Sequence, residues 1–115
     1  MRVHHIAFRT DDLAALERFY ADVIGLAVSR RNEKSIWLDA AGSIVMLERR
    51  GASEPRIDRA SLEMVAFTVP AGSGASLETK LRSASIAIES RTPYTLYVRD
   101  PDGRRIGLSS YPQTL

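Results

Sequence analysis

The sequence predicts an α+β fold of two βαβββ units, whose strands form a curved, partly open, eight-stranded barrel-like sheet with helices outside. A repeat predicts this fold. The stretch HIAFRT, beginning at His5, returns as MVAFTV at Met64, an offset of 59 residues. Each copy is followed by a helical pattern and then by three strand patterns. Since one such unit cannot cover both faces of its sheet, we expect the two units to pack together.

The first unit is predicted to span residues 1–50. Its opening strand precedes DDLAALERFYADVIG, a helical pattern that Asp11 is expected to cap and that Gly25 is expected to end. The apolar residues at helical spacing are Leu13, Leu16, Phe19, Tyr20 and Val23. Three strand patterns follow, LAVSRR, KSIWLD and SIVMLERR, and the turn DAAGS joins the last two. The segment GASEPRIDRA, residues 51–60, is polar and is interpreted as a linker.

The second unit is predicted to span residues 61–112. It has a shorter helical pattern, SGASLETKLRSA, and three strand patterns, IAIESR, TLYVRD and RRIGLSSY. DPDGR is predicted to form the turn that joins the last two strands. Proline presets φ for such a turn, and glycine accepts a positive φ. The whole chain, residues 1–115, is therefore interpreted as a single domain of two units.

Composition narrows the class of protein. Apolar residues make up 44% of the 115 residues and charged residues 26%, which is typical of a globular domain. No apolar run approaches the roughly 20 residues that span a bilayer, and no secretory signal is recognised. The chain has no cysteine, which excludes disulfides and thiolate metal sites. We therefore expect a cytoplasmic protein that does not bind membranes.

The charge is nearly balanced, with 16 basic and 14 acidic residues. Arginine pairs occur at residues 30–31, 49–50 and 104–105, but no aromatic residues alternate with them as a base-stacking surface would require. We expect no binding to nucleic acid. The pairs are interpreted as solvated strand ends and loops, with an anionic ligand or partner as the alternative.

Strand periodicity predicts which side chains line a cavity. In the opening strand, Ile6 and Phe8 should face the helix, whereas His5, Ala7 and Arg9 should face the opposite side. The second copy places Met64, Ala66 and Thr68 on that same side. These smaller and more polar faces suit the lining of a cavity.

A βαβββ unit repeated twice in a chain of this length resembles the vicinal oxygen chelate superfamily, which includes glyoxalase I, extradiol dioxygenases, and the bleomycin and fosfomycin resistance proteins. The stretches HHIAFRTDDLAALERFYADVIGL and RDPDGRRIGL carry the resemblance most specifically.

The resemblance implies a metal site of His, Glu, His and Glu from the first and last strands of each unit. His5 matches the first histidine, and Glu48 is the candidate carboxylate, past the usual place at Met46. Met64 and Gly107 stand at the histidine and glutamate places of the second unit.

The resemblance leaves three functions open. The first is a small-molecule-binding protein with a degenerate metal site and no cofactor. The second is a lyase, isomerase or dioxygenase that uses a divalent metal (Zn, Ni, Fe or Mn) bound by His5 and Glu48. The third is a metal-free enzyme in which His5 acts as the base, since histidine titrates near neutral pH. A homodimer is expected in each case, because a chain this short exposes much surface relative to its core.

The expected pocket has a defined lining. We predict that it is lined by His5, Ala7, Met46, Glu48, Met64, Ala66 and Gly107. Trp37 and Tyr97, from matching strands, either sandwich a planar ligand there or belong to the core. Arg9 either meets a carboxylate or phosphate group of the ligand or forms a salt bridge at the rim.

Overall fold

The structure, a computed structural model, describes all residues 1–115 and divides them into two compact units, Met1–Arg56 and Ile57–Leu115. The elements in chain order are β1 His5–Thr10, α1 Leu13–Glu17, β2 Ala27–Arg31, β3 Ser35–Ala40, β4 Ser43–Arg49, β5 Met64–Thr68, α2 Gly74–Ser83, β6 Ile88–Arg91, β7 Thr95–Arg99 and β8 Arg105–Ser109. The boundary between the units falls inside the predicted linker. No helix is long and apolar enough to cross a lipid bilayer.

Each unit contains one four-stranded sheet, and the two sheets have the same strand order. The first sheet runs β1-β4-β3-β2 and the second runs β5-β8-β7-β6. In both, the opening strand pairs in parallel with the last strand, and the other pairs are antiparallel. Ala7 lies opposite Met46 in the first sheet, as Ala66 lies opposite Gly107 in the second. The predicted α+β fold of two βαβββ units is confirmed.

The first helix begins one residue later than predicted and changes its winding. Asp12, rather than Asp11, is the cap, and its carboxylate accepts a hydrogen bond from the backbone N–H of Ala15 at 3.0 Å. After Glu17 the chain continues as a π-helical turn, Arg18–Val23. The wider turn leaves Val23 half-buried, although an ideal period of 3.6 would place it on the apolar face.

The core of the first unit forms between its helix and one face of its sheet. In β1 the side chains of Phe8 and Thr10 are buried and those of His5, Ala7 and Arg9 are exposed, as the alternation predicts. The other buried hydrophobic residues of this unit are Leu13, Leu16, Phe19, Tyr20, Ile36, Leu38, Val45 and Leu47. Each sheet therefore has a packed face and, opposite it, a face that we call the open face.

The helix of the second unit contributes less to its hydrophobic core than the helix of the first unit does. Helix α2 buries only Leu81, as its less apolar pattern predicts. The remaining buried hydrophobic residues lie on the last two strands, at Leu96, Val98, Ile106 and Leu108. Strand β5 again alternates, with Met64, Ala66 and Thr68 exposed and Val65 and Phe67 half-buried.

The turn before β8 is held by a buried carboxylate. Asp100 accepts hydrogen bonds from the backbone N–H groups of Asp102 and Arg104, both at 2.9 Å, and pairs with the Arg104 guanidinium at 3.0 Å. Gly103 has φ of +90°, a conformation that residues with a side chain rarely adopt. The predicted structural role of DPDG is therefore confirmed.

Replacing Gly103 with alanine is expected to lower the free energy of unfolding by about 1–2 kcal/mol. The added methyl would force a positive φ on a residue with a Cβ, and it would lie 2.7 Å from Cγ of Arg59. Urea denaturation measures the change. Gly51→Ala is the control, since Gly51 does not have a positive φ and meets only the Glu54 side chain. Equal stability of the two variants would contradict the prediction.

Candidate functional site

The open face of the first sheet carries a row of three residues across neighbouring strands. Ala7 on β1 lies opposite Met46 on β4, which lies opposite Trp37 on β3. Ala7 is exposed, and Met46 and Trp37 are half-buried. The guanidinium carbon of Arg30, on β2, lies 5.2 Å from the centre of the Trp37 ring. Trp37 is therefore on the face predicted to bind ligand and outside the buried core.

His5 and Glu48 share this face but lie at opposite ends of it. His5 is opposite Ile44 in the parallel register, whereas Glu48 is opposite Arg9. The four-residue separation corresponds to about 13 Å along the strands. Glu48 forms no ion pair. The structure does not bring together the two residues predicted as catalytic and metal-binding.

The His5 ring has a different neighbour. Its Nδ1 lies 2.9 Å from Nδ1 of His4, and the two exposed rings meet edge to face with centroids 5.2 Å apart. For this contact to be a hydrogen bond, one nitrogen must carry a proton and the other must accept it.

Arg9 forms a salt bridge at the rim. Its Nη1 lies 3.4 Å from Oε1 of Glu54, and it donates a hydrogen bond to the carbonyl oxygen of Arg49 at 3.3 Å. Both side chains of the ion pair are well exposed, so the pair contributes little to stability. Of the two interpretations of Arg9, the structure contains the rim salt bridge.

The second sheet repeats the row with different residues. Ala66 on β5 lies opposite Gly107 on β8, which lies opposite Tyr97 on β7. Met64 is 43% exposed, and its sulfur covers Gly107: a side chain at Gly107 would start 3.4 Å from Sδ of Met64 and 3.2 Å from Cβ of Ala66. The space beside Gly107 is therefore bordered by apolar atoms.

These residues do not fit a catalytic metal ion. Catalytic zinc sites use about three protein ligands, which are His, Cys, Asp or Glu side chains. No group of three or more such residues is arranged to hold an ion. In the second sheet, the two places where the resemblance implies ligands hold a thioether and a hydrogen atom.

The structure adds a charged cluster that the sequence interpretation missed. On the second sheet, the carboxylate of Glu89 accepts hydrogen bonds from the guanidinium groups of Arg99 and Arg105. The hydrogen bond from Arg99 chiefly lowers the pKa of Glu89, against the opposing effect of desolvation, and Arg105 adds to the lowering. The cluster stays ionised at neutral pH.

A groove of about 570 Å³ lies elsewhere in the second unit, between the start of α2 and the turn before β7. It is lined by Gly74, Ala75, Glu78, Arg91, Thr92, Pro93, Leu96 and Leu115. None of the residues predicted to line the ligand pocket borders this groove.

The fold agrees with the comparison to known families. The sequence model of the Glyoxalase/Bleomycin resistance protein/Dioxygenase superfamily matches residues 2–108. The chain belongs to this superfamily. The resemblance stated from HHIAFRT and RDPDGRRIGL is thereby confirmed. No curated protein sequence matches the chain.

Three solved structures illustrate the shared fold. The trypanothione-dependent glyoxalase I of Leishmania major is similar with a TM-score of 0.77 and 23% identity, over 95% of this chain and 86% of that one. Lactoylglutathione lyase from Agrobacterium tumefaciens has a TM-score of 0.73 and 20% identity, over 94% and 92%. An integron cassette protein from Vibrio cholerae has a TM-score of 0.74 and 18% identity, over 96% and 95%. At these identities the similarity shows the fold alone.

Proposed function

We propose that this member of the glyoxalase superfamily binds a small organic molecule on the open face of its second sheet, and that it does so through a degenerate metal site without a divalent metal. The observation that carries the proposal is the sulfur of Met64 above Gly107. A polarisable thioether beside a missing side chain leaves apolar surface at the place where the superfamily resemblance implies a histidine and a glutamate.

The surrounding residues support an organic ligand. Tyr97 lies next to Gly107 in the register and is half-buried, so part of its ring remains available for contact. An aromatic ring that is partly covered offers a flat apolar surface with a polar end. Most ligand sites combine such apolar surface with a few placed polar groups. The Trp37 row of the first sheet has the same character.

The proposal is tested by metal analysis together with a fragment screen. We expect well under one Zn, Ni, Fe or Mn per chain, and fragment-induced NMR shifts at Ala66, Tyr97 and Gly107 that chelator treatment leaves unchanged. Met64→Ala is expected to weaken fragment binding. Val28→Ala, which truncates an exposed apolar side chain on the first sheet, is the control and should leave binding unchanged. About one metal ion per chain that disappears in His5→Ala would replace this proposal by the metal-dependent alternative.

A metal-free enzyme with His5 as base is the second candidate. The contact between the Nδ1 atoms of His4 and His5 supports it, because a neighbouring ring can fix the tautomer of a catalytic imidazole. The test is turnover of a ligand found in the screen. Loss of turnover in His5→Gln with ligand binding retained would favour this candidate over simple binding.

We further propose a cytoplasmic homodimer. Exposed apolar side chains such as Val3 and Leu62 support self-association, since a dimer would remove such groups from water. Sedimentation equilibrium at micromolar concentration is expected to give twice the mass of the 115-residue chain. A clean monomer under these conditions would contradict the prediction.

A further inference from the structure

We propose that Arg105 is the receptor for an anionic group, a carboxylate or a phosphate, on the ligand of the second sheet. This inference rests on the proposed function and adds the charge and shape of the ligand to it. The ligand would be an anion with an apolar or aromatic body.

The Arg105 guanidinium is held in place by two neighbours. Its Nε donates a hydrogen bond to Oε1 of Glu89 at 3.1 Å, and its Cζ lies 4.1 Å from the centre of the Tyr97 ring. Its side chain is 16% exposed. The two Nη groups donate no hydrogen bond within the chain, and neither is fully buried. A planar guanidinium fixed through Nε presents these two groups in the geometry that carboxylate and phosphate oxygens accept.

Arg99 occupies the other side of Glu89 and is fully used by the fold. Its Nε and Nη2 donate to the Glu89 carboxylate, and its Nη1 donates to the carbonyl oxygens of Ser61 at 2.8 Å and Gly103 at 3.1 Å. Asp58 also acts electrostatically on Arg99. Arg105 is therefore the guanidinium of this cluster that has donors to spare.

A β-bulge explains why Glu89 reaches this face. Strand β6 pairs Ile88 with Val98 and Ser90 with Tyr97, so Glu89 is an extra residue between two registered pairs. Bulges re-aim a side chain without ending the strand. The bulge therefore brings the carboxylate to the arginines.

The first sheet has the same bulge without the carboxylate. Strand β2 pairs Val28 with Leu38 and Arg30 with Trp37, which leaves Ser29 as the extra residue. The Ser29 hydroxyl donates to the carbonyl oxygen of Trp37 at 3.2 Å. Arg30 lies over Trp37 but has no acidic partner that fixes it. In the repeat, Ile44 stands at the place of Arg105, and Arg30 reaches its ring from a different strand. Of these two ring-contacting arginines, only Arg105 is anchored by a carboxylate.

The apolar part of the ligand has a surface beside Arg105. Met64 lies opposite Arg105 in the register, and Gly107 follows two residues along the same strand and face. Gly107 itself is buried beneath the Met64 sulfur, so the apolar surface beside Arg105 is formed by the half-exposed Met64 side chain. An anion bound at Arg105 would therefore extend its body over Met64, next to the half-buried Tyr97.

The experiment uses NMR titrations of the full chain with benzoate, with its neutral analogue benzyl alcohol, and with inorganic phosphate, in a buffer free of other oxyanions. We expect benzoate to shift the amide resonances of Tyr97, Arg105 and Gly107 saturably and to bind more tightly than benzyl alcohol.

Arg105→Gln should weaken benzoate binding at least tenfold. Arg30→Gln makes the same charge change at the corresponding ring of the first sheet and should leave benzoate affinity unchanged. Arg105→Lys should give an intermediate affinity for benzoate. This variant replaces Arg105→Gln in the test if the glutamine variant fails to fold.

The outcomes separate this inference from the proposed function. Benzyl alcohol binding as tightly as benzoate, or benzoate affinity unaffected in Arg105→Gln, would overturn the anion receptor while leaving a small-molecule site. Shifts by no probe at these amides would overturn both. Phosphate shifts that depend on Arg105 support the receptor and indicate that the charge alone suffices for recognition.

Discussion

Tyr20→Ala is expected to lower the free energy of unfolding by about 3–5 kcal/mol, the largest loss among the substitutions considered. Tyr20 is 0% exposed and lies in the π-helical turn. Its ring packs against Phe8, with centroids 5.4 Å apart, and edge to face against Phe19 at 4.9 Å. Truncation would remove both contacts and leave a cavity. Since domains are stable by about 5–15 kcal/mol, this is a large fraction of the total.

Chemical denaturation at 25 °C, followed by circular dichroism, measures this effect. Tyr111→Ala is the matched control, because Tyr111 is 73% exposed and its aromatic contact is limited to Tyr94. We expect the control to cost no more than about 1 kcal/mol. A Tyr20→Ala variant as stable as Tyr111→Ala would mean that the aromatic cluster does not hold the helix on the sheet.

The double variant Met64→His, Gly107→Glu is expected to gain at least tenfold in affinity for Zn²⁺ or Ni²⁺ over the wild type, equivalent to about 1.4 kcal/mol or more. The two positions are adjacent on the open face, as the 3.4 Å approach of the Met64 sulfur to Gly107 indicates. Imidazole and carboxylate are good ligands for these ions, whereas neither original residue supplies one. Replacing Met64 also removes one of the atoms that a side chain at Gly107 would contact.

Isothermal titration of metal-free protein measures the gain. Met64→Gln, Gly107→Gln has side chains of comparable size without an imidazole or a carboxylate, and it should bind these ions no better than the wild type. Equal affinities of the two double variants would indicate that the substituted groups do not converge. That result would remove the main support for a degenerate metal site in the second sheet.

Most of the fold could be predicted from the sequence, because the internal repeat and the periodic spacing of apolar residues indicate it. The agreement of HIAFRT with MVAFTV, followed by matching patterns, predicted two βαβββ units, and alternation in β1 and β5 predicted which side chains are covered. The π-helical turn was missed because the apolar residues from Leu13 to Tyr20 fit an ordinary helical period. The cap was placed one residue early since Asp11 and Asp12 are both suitable, and Asp11 instead pairs with Arg50 and Arg56.

The candidate site was harder to predict. The alternation of side chains along a strand shows which face a residue lies on, but it does not show how far apart two residues of the same face are. His5 and Glu48 were correctly placed on one face, yet the register separates them by four residues. The cluster at Glu89 was missed for a related reason. A bulge shifts the alternation by one residue, so a simple period of two cannot place the Glu89 side chain beside Arg99 and Arg105.

The parallel pairing of β1 with β4 has a consequence for how the chain acquires its structure. The turn between β3 and β4 joins directly registered neighbours, Ala40 and Ser43, and such hairpins close within microseconds. His5 pairs with Ile44, which lies about 40 residues later in the chain. Closing the loop between them costs entropy, and this cost slows the docking of β1 onto β4. During synthesis, β1 therefore leaves the ribosome long before its partner exists. We expect the antiparallel hairpins to nucleate each unit and the opening strand, with the residues of the open face that it carries, to be added last.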